Sequence, residues 1–174
     1  LVFHLREGLM WPDETPVTAA DVVHSYHIYL DERSRYGNSN LLSIFASVRA
    51  EGDHTVRFKL AKPDSNAVSR AVARAGFFVM PKHRIGEDTY ISEENEFNNE
   101  PMGTGPFVVA AIEDNLIEFE ANPWYYKPPP EIDNVQLVVN RSEDVQLELL
   151  LSGFVDVDPV VRPRDLPRLQ GSAE

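Results

Sequence analysis

Phe3-His-Leu-Arg-Glu-Gly8, followed by Trp11-Pro-Asp13, Pro16 and Thr18-Ala-Ala-Asp-Val22, is the stretch on which the reading of this chain turns. Phe3 and Leu5 fall on one face of a period-two strand, His4 and Arg6 on the other. Pro12, Pro16 and the polar residues between them interrupt the backbone pattern. Thr18 then stands where a helix N-cap belongs, with Asp21 three residues on, which is the capping-box spacing. Behind it Val22, Val23, Tyr26, Tyr29 and Leu30 recur near i, i+4 and i+7. That spacing predicts a helix that lays one apolar face on a sheet.

Working outward, Asp31 to Asn40 is a polar connection and Leu41 to Phe45 a short apolar patch. Val48 to Leu60 reads as a hairpin about Glu51-Gly-Asp53, with Val56, Phe58 and Leu60 alternating against Thr55, Arg57 and Lys59. Pro63-Asp-Ser65 opens a helix expected from Asn66 to Ala75, and Gly76 occupies its C′ position. Phe77 to Met80 reads as a buried strand that Pro81 ends. Residues 84–101 carry Glu87, Asp88, Glu93, Glu94, Glu96 and Glu100 without the alternating ligands and closing Glu of a calcium loop, so they read as solvated.

A second informative block begins at Pro101-Met-Gly-Thr-Gly-Pro-Phe107. It continues through a hairpin (Val108 to Ile112, Glu113-Asp-Asn115, Leu116 to Glu120) to Asn122-Pro-Trp-Tyr-Tyr126. Ile132-Asp-Asn-Val135 opens another strand with Val135, Leu137 and Val139 in alternation. Ser142 caps a helix ending near Ser152-Gly153, and Phe154 to Val157 is expected to form a final strand.

These two ordered blocks, F-x-L-R-x-G / W-x-D / P-x-T-A-x-D-V and P-x-G-T-G-P-F / N-P-x-Y / I-D-x-V / S-G-x-x-D, closely resemble the family 5 extracellular solute-binding proteins. Those are the oligopeptide-, dipeptide- and nickel-binding receptors of ABC importers. The family usually has Asp-Gly where this chain has Asp13-Glu14, which bears on the turn there, since Glu accepts a positive φ poorly. The resemblance implies an α/β (mixed α+β) fold of the periplasmic-binding-protein type II kind, with mostly antiparallel strands and flanking helices. It further implies that residues 1–101 are part of an accessory lobe and residues 102–174 a section of the first ligand-binding lobe. The start of the protein and its large C-terminal lobe are expected to lie outside this stretch, which alone is then expected to bind no solute tightly.

The bulk composition narrows the partners. Sixteen Lys and Arg against 28 Asp and Glu leave a net charge of −12, which repels phosphate backbones and argues against nucleic acid. The chain has no cysteine, so disulfides and thiolate metal sites are excluded within it. No run of eighteen apolar residues occurs. The partners implied by the resemblance are a peptide or other small solute and the permease subunits of an ABC transporter. No cofactor is expected and the protein is expected to be a monomer, periplasmic or extracellular, lipid-anchored in a Gram-positive cell. A ligand-sensing domain of a transcription regulator is the alternative use of the same module.

Candidate site residues follow from both lines. Gly103-x-Gly105 lacks the third glycine and following helix of a phosphate loop, and Pro106 removes an amide donor; the resemblance makes it a strand entry where glycines allow close backbone approach. His24 and His27 are three apart on a helix, too few for zinc, and are expected to face solvent. Trp124, Tyr125 and Tyr126 read as packing residues. By the resemblance, Arg35, Tyr36 and Arg74 lie in segments that face the inter-lobe cleft, with Arg33 close by. An Arg there could pair bidentately with a ligand carboxylate, or simply balance surface acids. No Gly-x-Ser-x-Gly elbow, His-Glu-x-x-His motif or Cys nucleophile is present, so the chain reads as non-enzymatic.

Overall fold

A computed structural model describes residues 1–34, 39–70, 76–87, 90–91, 95–140 and 142–171. Two three-stranded antiparallel sheets organise it. The first has the order β1 (Val2–His4), β3 (Thr55–Leu60), β2 (Phe45–Ala50). The second runs β4 (Phe107–Ile112), β5 (Leu116–Ala121), β6 (Asn134–Val138). The opening strand therefore joins the hairpin on the β3 side, with Phe3 opposite Val56.

Helix α1 (Ala19–Leu30) covers the first sheet. Val22 and Tyr26 are buried against Phe45, Val48, Val56 and Phe58, while Val23, Tyr29 and Leu30 pack at the margin, the face the spacing predicts. Phe45, Phe58 and Tyr26 meet edge to face, at ring distances of 4.9–6.4 Å, and the Tyr26 hydroxyl donates to the Phe45 carbonyl at 3.3 Å. Leu42, on the short helix α2 (Ser39–Leu42), closes this core at one end. The hairpin strand starts three residues earlier than expected, at Phe45, because Phe45 pairs with Leu60 through a bulge and its ring fills the core.

The helix start follows the capping-box reading. Thr18 is extended (φ −125°, ψ 167°), and its N–H donates to Asp21 at 2.8 Å. In the loop before it, Trp11 N–H donates to the Thr15 carbonyl at 2.8 Å, and Met10 bridges Pro16. Glu14 sits at the tip with φ 67°, the left-handed conformation that the family's glycine would take without a steric cost.

Two expected strands do not form. Phe77 to Met80 joins no ladder, and Phe78 is exposed. Its backbone is bound to α1 side chains instead: Met80 N–H donates to Ser25 Oγ at 2.8 Å and Phe78 N–H to the Tyr29 hydroxyl at 3.4 Å. Phe154 to Val157 likewise lacks a ladder, with Phe154 and Val157 70% and 76% exposed. Apolar composition selects extended backbone, but a strand exists only where a neighbour supplies the other half of its hydrogen bonds. The helix expected from Asn66 to Ala75 is seen at residues 67–70; residues 71–75 lie outside the described residues, and Gly76 has φ 63°, as a C′ glycine does.

The final helix reading holds in detail. Ser142 caps α4 (Glu143–Leu151) through the Val145 N–H. Gly153 at φ 72° ends it, its N–H donating to the Leu150 carbonyl and that of Phe154 to Leu149, the paired bonds of a Schellman motif. Arg162 then ties the following segment to α4 through Glu143 and Asp144, and pairs with Asp165 within that segment.

Candidate functional site

The loop after α1 is where a site was expected, and its described part is internally paired. Arg33, on a 3-10 turn (Glu32–Ser34), makes a bidentate contact with Asp31 at 2.9 and 2.7 Å and lies 4.0 Å over the Tyr90 ring. Its planar fork is thus committed to a neighbour within the chain. The three candidates Arg35, Tyr36 and Arg74 lie outside the described residues.

A polar clamp that the sequence reading missed holds α1 to the chain at 80–82. The Asp21 carboxylate is buried and accepts from Thr18 N–H at 2.8 Å, from the Thr18 hydroxyl at 3.2 Å and, through its other oxygen, from Lys82 N–H at 2.9 Å. Ser25, fully buried one turn later, donates to the Asp21 carbonyl at 2.7 Å and accepts from Met80 N–H. The available signal was two polar residues four apart in an otherwise apolar stretch, the spacing of side chains on one helix face.

His24 corrects an expectation. It is buried, not solvent-facing, because it stands one turn before Ile28, and that side of α1 is covered by Met80 and by Ile85 of the short helix α3 (Lys82–Ile85). Burial pushes its pKa below the ordinary imidazole range and the nearby Lys82 charge pushes the same way, against Glu87 and Asp21. Its Nε2 has no hydrogen-bond partner. His27 is exposed, as expected. Among the described residues no three His, Asp or Glu side chains converge as a metal site would require.

An open cleft of about 510 Å³ is lined by Pro12, Asp13, Arg84, Glu100, Met102 and strand β4. Its charges meet each other at the rim: His83 Nε2 lies 2.7 Å from Asp13, and Arg84 donates to Glu100 at 2.7 Å. Burial alone would raise the Asp13 pKa, but the bonds from His83 and Thr15 together outweigh it and hold the carboxyl below its ordinary value.

At the second block, Gly103 and Gly105 lead into β4 and not a helix, consistent with rejecting a phosphate loop. The close backbone approach implied for them is absent: a Cβ on Gly103 would meet nothing within 4 Å, and one on Gly105 only the Phe107 carbonyl at 3.8 Å. What is fixed here is Asn122, fully buried, whose amide donates to the Gly105 carbonyl at 2.8 Å and accepts from Trp124 N–H at 2.9 Å. The aromatic run after it is less packed than expected. Trp124 and Tyr126 are 40% and 47% exposed, and Arg6 and Lys127 lie 5.2 and 5.4 Å from the Tyr126 ring centre.

Two small antiparallel sheets with flanking helices define a mixed α/β scaffold. The family model described as bacterial extracellular solute-binding proteins, family 5 Middle, matches residues 1–174, and the chain belongs to that family. Among curated relatives, Protein XP55 of Streptomyces lividans is 32% identical over 95% of this chain and 29% of its own length. The oligopeptide-binding protein AppA of Bacillus subtilis (strain 168) is 30% identical over 87% of this chain and 28% of its own. The solved structure of Bacillus subtilis AppA in complex with a nonapeptide superposes with a TM-score of 0.78 at 29% identity, covering 88% of this chain and 31% of that one. That of MoaA from A. tumefacien R10, in complex with mannopinic acid, gives a TM-score of 0.84 at 27% identity, over 98% and 34%. The chain thus spans about a third of the length of these relatives. Its fold is that of the family 5 binding proteins, mixed in class with antiparallel sheets.

Proposed function

We propose that this chain is a section of the substrate-binding component of an ABC importer, with a peptide as the leading solute. The observation that carries the reading is the family match along all of residues 1–174, joined to the similarity to a protein solved with a nonapeptide. In this reading residues 1–101 belong to the accessory lobe and 102–174 to the first ligand-binding lobe. A solute captured between hinged lobes favours the closed form by its differential affinity for it, and the closed form delivers it to the membrane permease. The protein acts without chemistry on its solute, as a monomer outside the cytoplasm, periplasmic or lipid-anchored. Arg35, Tyr36 and Arg74 are the candidate solute-contacting residues in this reading.

The test is a thermal-shift screen of the protein expressed from its uninterrupted reading frame against di- to nonapeptides, nickel chelates and opines. A solute at a hundred times its Kd adds about 2.7 kcal/mol to the native state. For a protein of this size or larger that is a rise of several degrees. A rise with peptides that Arg74→Ala diminishes is expected; no rise with any peptide overturns the peptide assignment.

A further inference from the structure

The net charge of −12 is a sum over the chain, and the charge is not evenly spread. None of the 28 acidic residues stands in β1, β2 or β3, while β5 alone carries Glu118 and Glu120. Alternation decides which way the polar side chains of the first sheet turn. Val48, Val56 and Phe58 are buried beneath α1, so their neighbours Arg49, Arg57 and Lys59 stand on the outer face, and all three are exposed. Between and beside them on those strands are the short polar residues Ser47 and Thr55.

The register concentrates these cations. Arg49 stands directly opposite Arg57, and Lys59 follows two residues along the same strand as Arg57. At ordinary strand dimensions the three lie within roughly 10 Å of one another along the backbone. Like charges so placed repel, and a single carboxylate offsets the pair. Glu51 accepts from Arg57 Nε at 2.7 Å and Nη2 at 2.9 Å, and from Arg49 Nε at 3.2 Å. Three cations therefore stand against one acid, and the Arg49 and Arg57 side chains keep 66% and 45% of their exposure. Behind the sheet comes α1, and behind α1 the α3 segment, where Glu87 and Glu100 are held by Lys82 and Arg84. A helix is about 10 Å thick, so those acids lie a full layer behind the cationic face.

We propose that this outer face is an electrostatic docking surface for an anionic phospholipid membrane, and that it fixes which side of the protein turns toward the bilayer. Charge complementarity selects the sign of the partner, and the form of the face selects its kind. Separate point charges on a ground of short side chains suit a plane of phosphate headgroups, which asks for no register and no pocket. A groove or an aromatic platform would instead suit a peptide or a single nucleic-acid strand. Screening lets a protein this acidic approach such a plane. At about 0.1 M salt the Debye length is about 10 Å, so the bilayer feels the three cations and little of the acids behind α1.

The inference is tested without solute, so it and the solute reading can fail separately. The protein expressed from its uninterrupted reading frame is sedimented with sucrose-loaded vesicles, either of phosphatidylcholine alone or of phosphatidylcholine and phosphatidylglycerol in equal parts. Binding to the anionic vesicles at about 0.1 M salt, greater than to the neutral ones and largely lost at about 1 M, is expected. The double variant Arg49→Gln/Lys59→Gln leaves the Glu51–Arg57 pair in place. Each cation removed is expected to weaken the anionic partition about fivefold. Glu51→Gln is expected to strengthen it by a similar factor, and only with the anionic vesicles, a gain that loss of folding would not confine to them. Equal binding to the two vesicle types, no binding to either, or anionic binding unchanged in the double variant overturns the proposal. So does a dimer in light scattering that the double variant loses, which would assign the face to the acidic surface of a second copy.

Discussion

Replacing Asp21 measures the clamp between α1 and the chain at 80–82. Three donors converge on its two oxygens, among them two backbone N–H groups, of Thr18 and Lys82. Removing the acceptor from a site this buried leaves a donor unsatisfied at a cost of about 1–3 kcal/mol each. Asp21→Ala strands both and is expected to cost about 3–5 kcal/mol, including the lost charge in the first turn of the helix. Asp21→Asn keeps the shape but can offer its single oxygen to only one of the two amides, the NH2 facing the other. It is expected to cost about 2–3 kcal/mol. Equilibrium urea unfolding reads this as a lower midpoint with unchanged slope. An Ala variant costing under about 1 kcal/mol would show that water replaces the carboxylate and that the clamp contributes little. An Asn variant as damaging as Ala would mean that charge, and not the count of acceptors, carries the effect.

Two further outcomes follow from single residues. Glu14 holds φ 67°, so Glu14→Gly is expected to gain about 0.5–1 kcal/mol, the relief of left-handed strain less the added freedom of the unfolded chain. A lowered melting temperature for that variant would refute the strain. His24 has its pKa lowered by burial, so below the ordinary imidazole value of about 6.5 the unfolded state binds a proton the native state refuses. The stability this group contributes is therefore complete above that pH and lost as pH falls from it through the lowered native pKa. Urea unfolding at pH 7.5 and 5.5 is expected to show the drop, and His24→Gln to shrink it; an unchanged drop in the variant would place its origin elsewhere.

Much of the fold was legible because it rests on local rules. The Thr18–Asp21 cap, the Val56–Phe58–Leu60 alternation and the Ser142 and Gly153 ends of α4 each depend on residues within a few positions of one another. Glu14 was legible through its contrast with the family's glycine, and the structure places it in the conformation that contrast makes costly. The failures share a cause. His24 looked like a surface histidine because helix periodicity identifies one apolar face, and α1 is covered on two, the second by Met80 and Ile85 some sixty positions along the chain. The site candidates Arg35, Tyr36 and Arg74 came from resemblance alone, and the one neighbouring arginine that is described, Arg33, is bound to Asp31 and Tyr90.

The sequence by itself determined the family, the helix caps, the hairpins and the net charge of −12, since motif wording, capping and charge are properties of short stretches or simple sums. Only the tertiary structure decided which apolar segments became strands. Thr55–Leu60 did so because β1 and β2 flank it, while Phe77–Met80 gave its amides to Ser25 and Tyr29, and Phe154–Val157 found no ladder. A backbone hydrogen bond needs a partner in space, and the partner's position is not written in the residues that need it.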